Sequence, residues 1–378
     1  MAYPKTVKFV SLGVALIVVL VAAFAELLTF GVGRFYAPNM FSEEDAYFGS
    51  INAEQFASWQ ASPWFDEELG WNTPTISTSE SKQNCLGNDI SYSYEDESRG
   101  TSRFGIPAVA IFGDSYAFGD EVGDDSTPAA ALERMIEAPV LNYGVRGFSP
   151  EQAVLKFERL VQKRMMPSVA VLIIAHENIR RVVNSFRPVL YSWTDVRFGL
   201  KPFVAGETLV TTPYPRDYDA FVQEAKRRFR QDFWARPRFS FPYSVSLFNA
   251  ATSNAFYFNK IASRGLPPYS FEYGTENPLR IALSAAINRW RSSALAHGTK
   301  PFVLFVPGDP RDKGVAANYV ALLNASAGQT FAFEFDDPDI DWRYYNLEPY
   351  ACHPSPYGYE RIASFIARKI LTSPLLDR

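Results

Sequence analysis

The sequence predicts an α/β fold, with a parallel sheet covered by helices on both faces. Two observations carry this. After residue 105, short apolar runs of strand length alternate with segments of helical spacing. Such alternation favours parallel strands joined by crossover helices. The polar, chemistry-bearing residues cluster at the ends of the apolar runs, and sheets of this kind bind ligands beyond the carboxyl ends of their strands.

The elements follow in order. Residues 107–112 form an apolar run that stops at Gly113 and reads as a buried strand. Helical spacing covers 127–137, and 139–143 is a second strand. Ser149, Pro150 and Gln152 together open a helix: Ser149 as the N-cap, Pro150 at the first helical position, Gln152 completing a capping box. A third strand spans 169–175. A helix opened by Asn277-Pro278 runs to about His297 and stops at Gly298. A fourth strand covers 301–306, a helix 315–325 and a fifth strand 331–335. Ser355-Pro356 caps a last helix that ends near Leu371.

The N-terminal segment sets the compartment. Residues 9–30 are almost entirely apolar, and about 20 such residues cross a bilayer as a helix. Lys5 and Lys8 precede them with no acidic residue, which keeps the N-terminus cytoplasmic. The expectation is a single-pass inner-membrane anchor over 1–34, with the main domain periplasmic or otherwise extracytoplasmic. The rival is a cleaved signal peptide, since Ala23-Phe24-Ala25 fits a small-x-small cleavage site. Both export the remainder. Residues 35–104 are polar and aromatic without a clear period and read as an extended wrap or stalk. Residues 105–378 hold the α/β domain, with an insertion at about 185–275.

Composition narrows the function. Of 378 residues 47% are hydrophobic and 21% charged, with a net charge of -4. There is material for a core and no broad basic surface, so nucleic acid is not an expected partner. Two Cys and three His exclude a disulfide-dense or multi-zinc scaffold. Neither a metal nor an organic cofactor is implied.

The candidate chemistry lies at the strand ends. Gly113-Asp114-Ser115 closes the first strand, and a serine there needs a neighbouring base to become a nucleophile. His297 sits near a helix end and His176 at the third strand's end. His353, in the loop before the last capped helix, is the expected base.

These residues resemble the SGNH (GDSL-like) hydrolases over roughly 105–185 and 345–370. Phe112-Gly113-Asp114-Ser115-Tyr116 looks like the first family block and Asn142-Tyr143-Gly144-Val145-Arg146-Gly147 like the second. Ala175-His176-Glu177-Asn178 stands for the third, which in the family reads Gly-x-Asn-Asp. His353 ends the block that in the family reads Asp-x-x-His. The resemblance implies a flavodoxin-like three-layer sheet and an acyl-serine esterase. Carried over, Ser115 is the nucleophile and His353 the base. The oxyanion hole comprises Ser115, Gly147 and Asn178, because an ionised Glu177 has no proton to donate. Tyr350 stands where the family has its acid, so Glu348 or Asp341 becomes the candidate partner of the imidazole. The surroundings of the third block resemble a membrane-anchored subset that accompanies bacterial exopolysaccharide machinery. That implies acylated carbohydrate as substrate, with Arg180, Arg181 and Arg187 as candidates for acidic groups. A glycan O-acyltransferase and a non-catalytic subunit of a membrane complex are the alternatives. In an exported chain the two cysteines are expected to pair, and a Cys85–Cys352 bridge would pin the histidine loop to the wrap. The insertion, rich in aromatics and carrying the basic run 226–230, reads as a groove lid, a membrane contact or a small core of its own.

Overall fold

The computed structural model describes residues 5–36, 43–100, 107–163, 167–190, 196–235, 240–253, 272–275, 277–347 and 352–372. The chain divides into two units, one of Met1–Asn52 with Phe229–Pro267, the other of Ala53–Arg228 with Pro268–Arg378.

The larger unit is built on a sheet of eight strands: β1 (Thr78–Gln83), β2 (Asp89–Glu95), β3 (Ser98–Arg99), β4 (Val109–Gly113), β5 (Val140–Asn142), β6 (Val169–Ala175), β7 (Lys300–Val306) and β8 (Ala332–Glu334). Their spatial order is β8-β7-β6-β4-β5-β3-β2-β1. The five strands from β4 onward pair in parallel, and β5, β3, β2 and β1 pair antiparallel. All five apolar runs are therefore strands of one parallel-rich sheet.

Alternation along each strand builds the core. Ile111 and Ile173 lie in one cluster with Leu132, Ile362 and Ile366, from the helices Pro128–Ile136 and Pro356–Thr372. Phe112, the next residue after Ile111, meets Phe157 and Trp290 at centroid distances of 5.4 and 5.3 Å, from the helices Pro150–Gln162 and Pro278–Ala296. Each fully buried aliphatic side chain contributes roughly 1.5–3 kcal/mol. The helix starts have the expected local causes. Thr127 accepts from the Ala130 N–H, Asn277 from the Leu279 N–H, and Ser149 and Gln152 form a capping box.

Residues 78–99 add three antiparallel strands to the edge of the parallel sheet. Ile90, Tyr92 and Tyr94 alternate inward while the residues between them are exposed. The inward residues are mostly tyrosines, whose period of two is a weak apolar signal. Within the larger unit, the insertion builds an aromatic cluster of its own. Phe198, Tyr214 and Phe221 pack around Phe56 of the Ala53–Gln60 helix, with centroids 4.9 to 6.3 Å from it. The basic run is largely paired: Arg227 and Arg228 with Glu224, and Arg230 with Glu44 in the smaller unit.

The smaller unit holds the N-terminal helix Lys5–Tyr36 and the helix Tyr243–Ser253 packed against it. Within the first, Gly13–Phe35 is a 23-residue candidate membrane span with mean hydropathy 2.5.

Candidate active site

Ser115 stands immediately beyond β4, at the start of the short helix Ser115–Phe118. Gly113 makes the turn possible. Its φ is +141°, and a Cβ there would sit 2.3 Å from the Ile173 carbonyl oxygen on the neighbouring strand β6. Asp114 is fully buried and caps the helix, accepting the Tyr116 N–H at 3.0 Å and an N–H of Arg181 at 3.1 Å. Burial pushes its carboxyl up despite the Arg181 charge.

His353 reaches this serine from the loop before the last helix. Its Nε2 lies 2.8 Å from Ser115 Oγ. The bridge between Cys85 and Cys352 ties the residue before it to the β1–β2 connection. On the other side of the ring, Nδ1 is 4.0 Å from Asp120 Oδ2. That is beyond hydrogen-bond length but close for an ion pair. Asp120 is held by three groups: the Tyr92 hydroxyl at 2.7 Å, Lys82 Nζ at 3.0 Å, and the Glu121 N–H at 3.1 Å, all on Oδ1. Burial alone would raise its carboxyl. The charges of His353, Lys82 and Arg146 and the Tyr92 hydrogen bond overcome this and hold it well below the usual carboxylate range.

Asp120 was not a sequence candidate. Of the two acids that were candidates, only Asp341 lies among the described residues. Asp341 caps the turn Trp342–Tyr344, and its exposed carboxylate is engaged by Arg343 at 2.9 Å. Glu348 lies outside the described residues, as does Tyr350. The sequence signal for Asp120 is its place five residues after the serine, just past Gly119 at the end of the short helix. Nothing local marks it as facing a histidine more than two hundred residues away.

Ser115, His353, Asp120 and Gly147 line one cleft of about 760 Å³. Gly147 has φ +77°, which favours glycine, and the space where a Cβ would sit is 3.7 Å from Arg187 Nη2. The Arg146 carbonyl beside it accepts the Trp71 indole N–H at 2.9 Å, which fixes this loop. The remaining oxyanion candidate is placed differently. Asn178 is buried, and its side chain hydrogen-bonds Asp114. Glu177 faces the cleft instead. It is paired with Arg181, and although burial opposes its ionisation, the Arg181, Arg187 and His353 charges hold its carboxyl below the ordinary value.

The arginine candidates also separate. Arg187 and Arg181 line the cleft. Arg180 is buried in an ion pair with Glu272, whose carboxyl burial pushes up to about 7 against the pull of Arg180. The cleft wall is completed by Trp59, Trp64 and Trp71, from the segment that the sequence left without function. Of the other histidines, His297 ends its helix. His176 is buried with its Nδ1 2.9 Å from the Tyr273 hydroxyl, and burial depresses it to about 3, so it stays neutral.

No protein-family model and no curated protein matches the chain. Similar solved structures include a G-D-S-L family protein from Desulfitobacterium hafniense DCB-2, at 10% identity and TM-score 0.34 over 69% of this chain and 97% of that one. An acetyl xylan esterase from the rumen bacterium Butyrivibrio proteoclasticus aligns at 10% identity and TM-score 0.36, over 75% of this chain and 67% of that one. A carbohydrate esterase described as having divergent catalytic and non-catalytic binding functions aligns at 9% identity and TM-score 0.33, over 74% and 68%. Likenesses this distant carry no chemistry, which has to be read from the side chains of the cleft.

Proposed function

We propose that the chain is an exported serine esterase of SGNH type on a flavodoxin-like three-layer fold, held at the inner membrane by its N-terminal helix and acting on acylated carbohydrate. The observation that carries this reading is the 2.8 Å contact between His353 Nε2 and Ser115 Oγ at the carboxyl end of β4. A serine–histidine pair too far apart to hydrogen-bond would have favoured a non-catalytic subunit.

The chemistry follows from the atoms present. His353 Nε2 takes the Ser115 proton as Oγ attacks the ester carbonyl. The Asp120 carboxylate stabilises the imidazolium that forms. The N–H groups of Ser115 and Gly147 are the donors offered to the oxyanion. His353 then returns the proton to the departing alcohol oxygen, leaving an acyl-serine. Water, deprotonated by His353, attacks that ester, the bond to Oγ breaks to release the carboxylic acid, and His353 returns its proton to Ser115 Oγ. The tryptophans of the cleft offer flat faces for sugar rings, and Arg187 offers a cation to an acidic substituent.

The test is hydrolysis of p-nitrophenyl acetate by the full chain in detergent, beside Ser115→Ala and His353→Ala. Activity lost in both variants supports the reading, and equal background rates in all three proteins overturn it. Acyl transfer to an added glycan, in preference to water, would place the same acyl-enzyme in a transferase.

A further inference from the structure

Glu26 is an acidic residue within the apolar segment Gly13–Phe35. That segment is 23 residues, about 35 Å at a rise of 1.5 Å per residue. Glu26 lies about one turn inside the C-terminal end of the apolar run 9–30, where a charge is accommodated best when protein groups satisfy it. They do. The N–H groups of Tyr243 and Ser244 and the Ser244 hydroxyl all donate to its carboxylate. These donors begin the helix Tyr243–Ser253, whose Tyr243 ring lies 5.0 Å from that of Phe30.

The chain that enters this helix is equally self-sufficient. The Ser246 hydroxyl accepts the Ser240 N–H at 3.2 Å and donates to the Ser240 carbonyl at 2.6 Å. Non-helical backbone at membrane depth is tolerated only where protein supplies such partners. On the outer side of the segment, Phe241, Val245 and Phe248 are 73%, 51% and 67% exposed. Val245 and Phe248, three residues apart in the helix, share one face, and Phe241 adds exposed apolar surface just before its start.

We propose that residues 240–253 are a second membrane element, inserted beside the N-terminal helix to the depth of Glu26, with Phe241, Val245 and Phe248 facing lipid acyl chains. Acyl chains are the occupant that fits, because the neighbouring helix exposes an apolar surface at the same level: Phe24, Leu27 and Leu28 are all more than half exposed. The segment also requires the N-terminal helix to be retained. Cleavage after Ala25 would remove the helix that positions Glu26.

The test labels single introduced cysteines with an environment-sensitive fluorophore, Cys85 and Cys352 being paired. The full chain is reconstituted in phosphatidylcholine vesicles carrying lipids brominated near the middle of the acyl chain. Phe248→Cys is the probe, Leu20→Cys the reference in the N-terminal helix and Ile76→Cys the reference in the larger unit. The expected result is quenching at position 248 within about twofold of that at 20 and well above that at 76. Quenching at 248 no greater than at 76, with position 20 quenched, overturns the proposal. So does absence of quenching at 20, which removes the membrane span itself. Adding Glu26→Ala to the 248 probe should lower its quenching, and unchanged quenching refutes Glu26 as the tether.

Discussion

Asp120→Asn is the sharpest test of how the site is arranged. The wild-type carboxylate stands 4.0 Å from His353 Nδ1. At an effective dielectric of about 20, two unit charges at that distance interact by about 4 kcal/mol. That energy is realised only when the imidazole carries the serine proton, so it lowers the barrier and not the ground state. Removing it in full would cost about 10³ in kcat/KM, at 1.36 kcal/mol per factor of ten. Lys82, 3.0 Å from the other carboxylate oxygen, already offsets part of the field. The expected loss is therefore 10²- to 10³-fold, about 3–4 kcal/mol. The substitution is close to isosteric, and Asn retains an acceptor for Tyr92.

The assay is kcat/KM for p-nitrophenyl acetate at neutral pH, with the melting temperature measured alongside. Lys82→Met serves as the control for the neighbourhood. It removes a partner of Asp120 and Glu121 that makes no contact with His353, so its effect should stay within about tenfold. If Asp120→Asn keeps more than about a third of wild-type kcat/KM while Ser115→Ala is inactive, the Coulomb argument fails. The imidazole would then be oriented by another group.

Three further outcomes follow from the same geometry. Cys85→Ser should lower kcat by roughly 10- to 100-fold with less effect on KM, because a small displacement of the base is enough; a variant that loses stability but keeps kcat would make the bridge purely structural. Glu177→Gln should raise the rate by about tenfold or more, since one oxyanion donor is worth 10²–10³ and the carboxylate faces the cleft; a neutral result, with Asn178→Ala losing 10²–10³ at unchanged stability, would return the role to Asn178. Glu97, depressed to about 2 by Lys163, Arg159, Lys156 and Asn72 against its own burial, contributes about 3 kcal/mol. Because its folded value is the lower one, that stability is present above about pH 4.5 and is lost as pH falls towards 2. Glu97→Gln should flatten this acid limb of the melting temperature, and an unchanged limb would assign it to other carboxylates.

What was legible in the sequence was whatever depends on local pattern. The five apolar runs became the parallel strands because continuous burial on both faces leaves a strong signal in each. Ser149, Asn277 and Ser355 marked helix starts because capping acts within three residues. Ser115 and His353 were named because each lies at a strand end or beside a capped helix, Gly147 because the resemblance implied it, and all three line one cleft. Asp120, Lys82 and Tyr92 were missed because their relation to His353 exists only across the sheet. Trp59, Trp64 and Trp71 were missed because an aromatic in a segment without period reads as core. The choice between Glu177 and Asn178 turned on hydrogen-bond chemistry, which favoured Asn178; Asn178 is buried beside Asp114, and Glu177 faces the cleft.

These omissions share a cause. Position 350 holds Tyr where an acid is expected, and the carboxylate near the imidazole comes from the turn after the nucleophile's own helix. A carboxylate there is held within its own turn only by the Glu121 N–H among the described contacts. Further support is supplied by the wrap: Tyr92 from β2 and Lys82 from β1 both bind Asp120. Cys85, between the same two strands, is bridged to the residue before His353. One antiparallel hairpin thus fixes the acid directly and the base through a covalent bond. The three tryptophans of the same wrap form the cleft wall. Residues 53–99 are therefore as much a part of the candidate active site as the strand ends are. Disrupting the hairpin should impair the relation between Asp120 and His353, since it holds both.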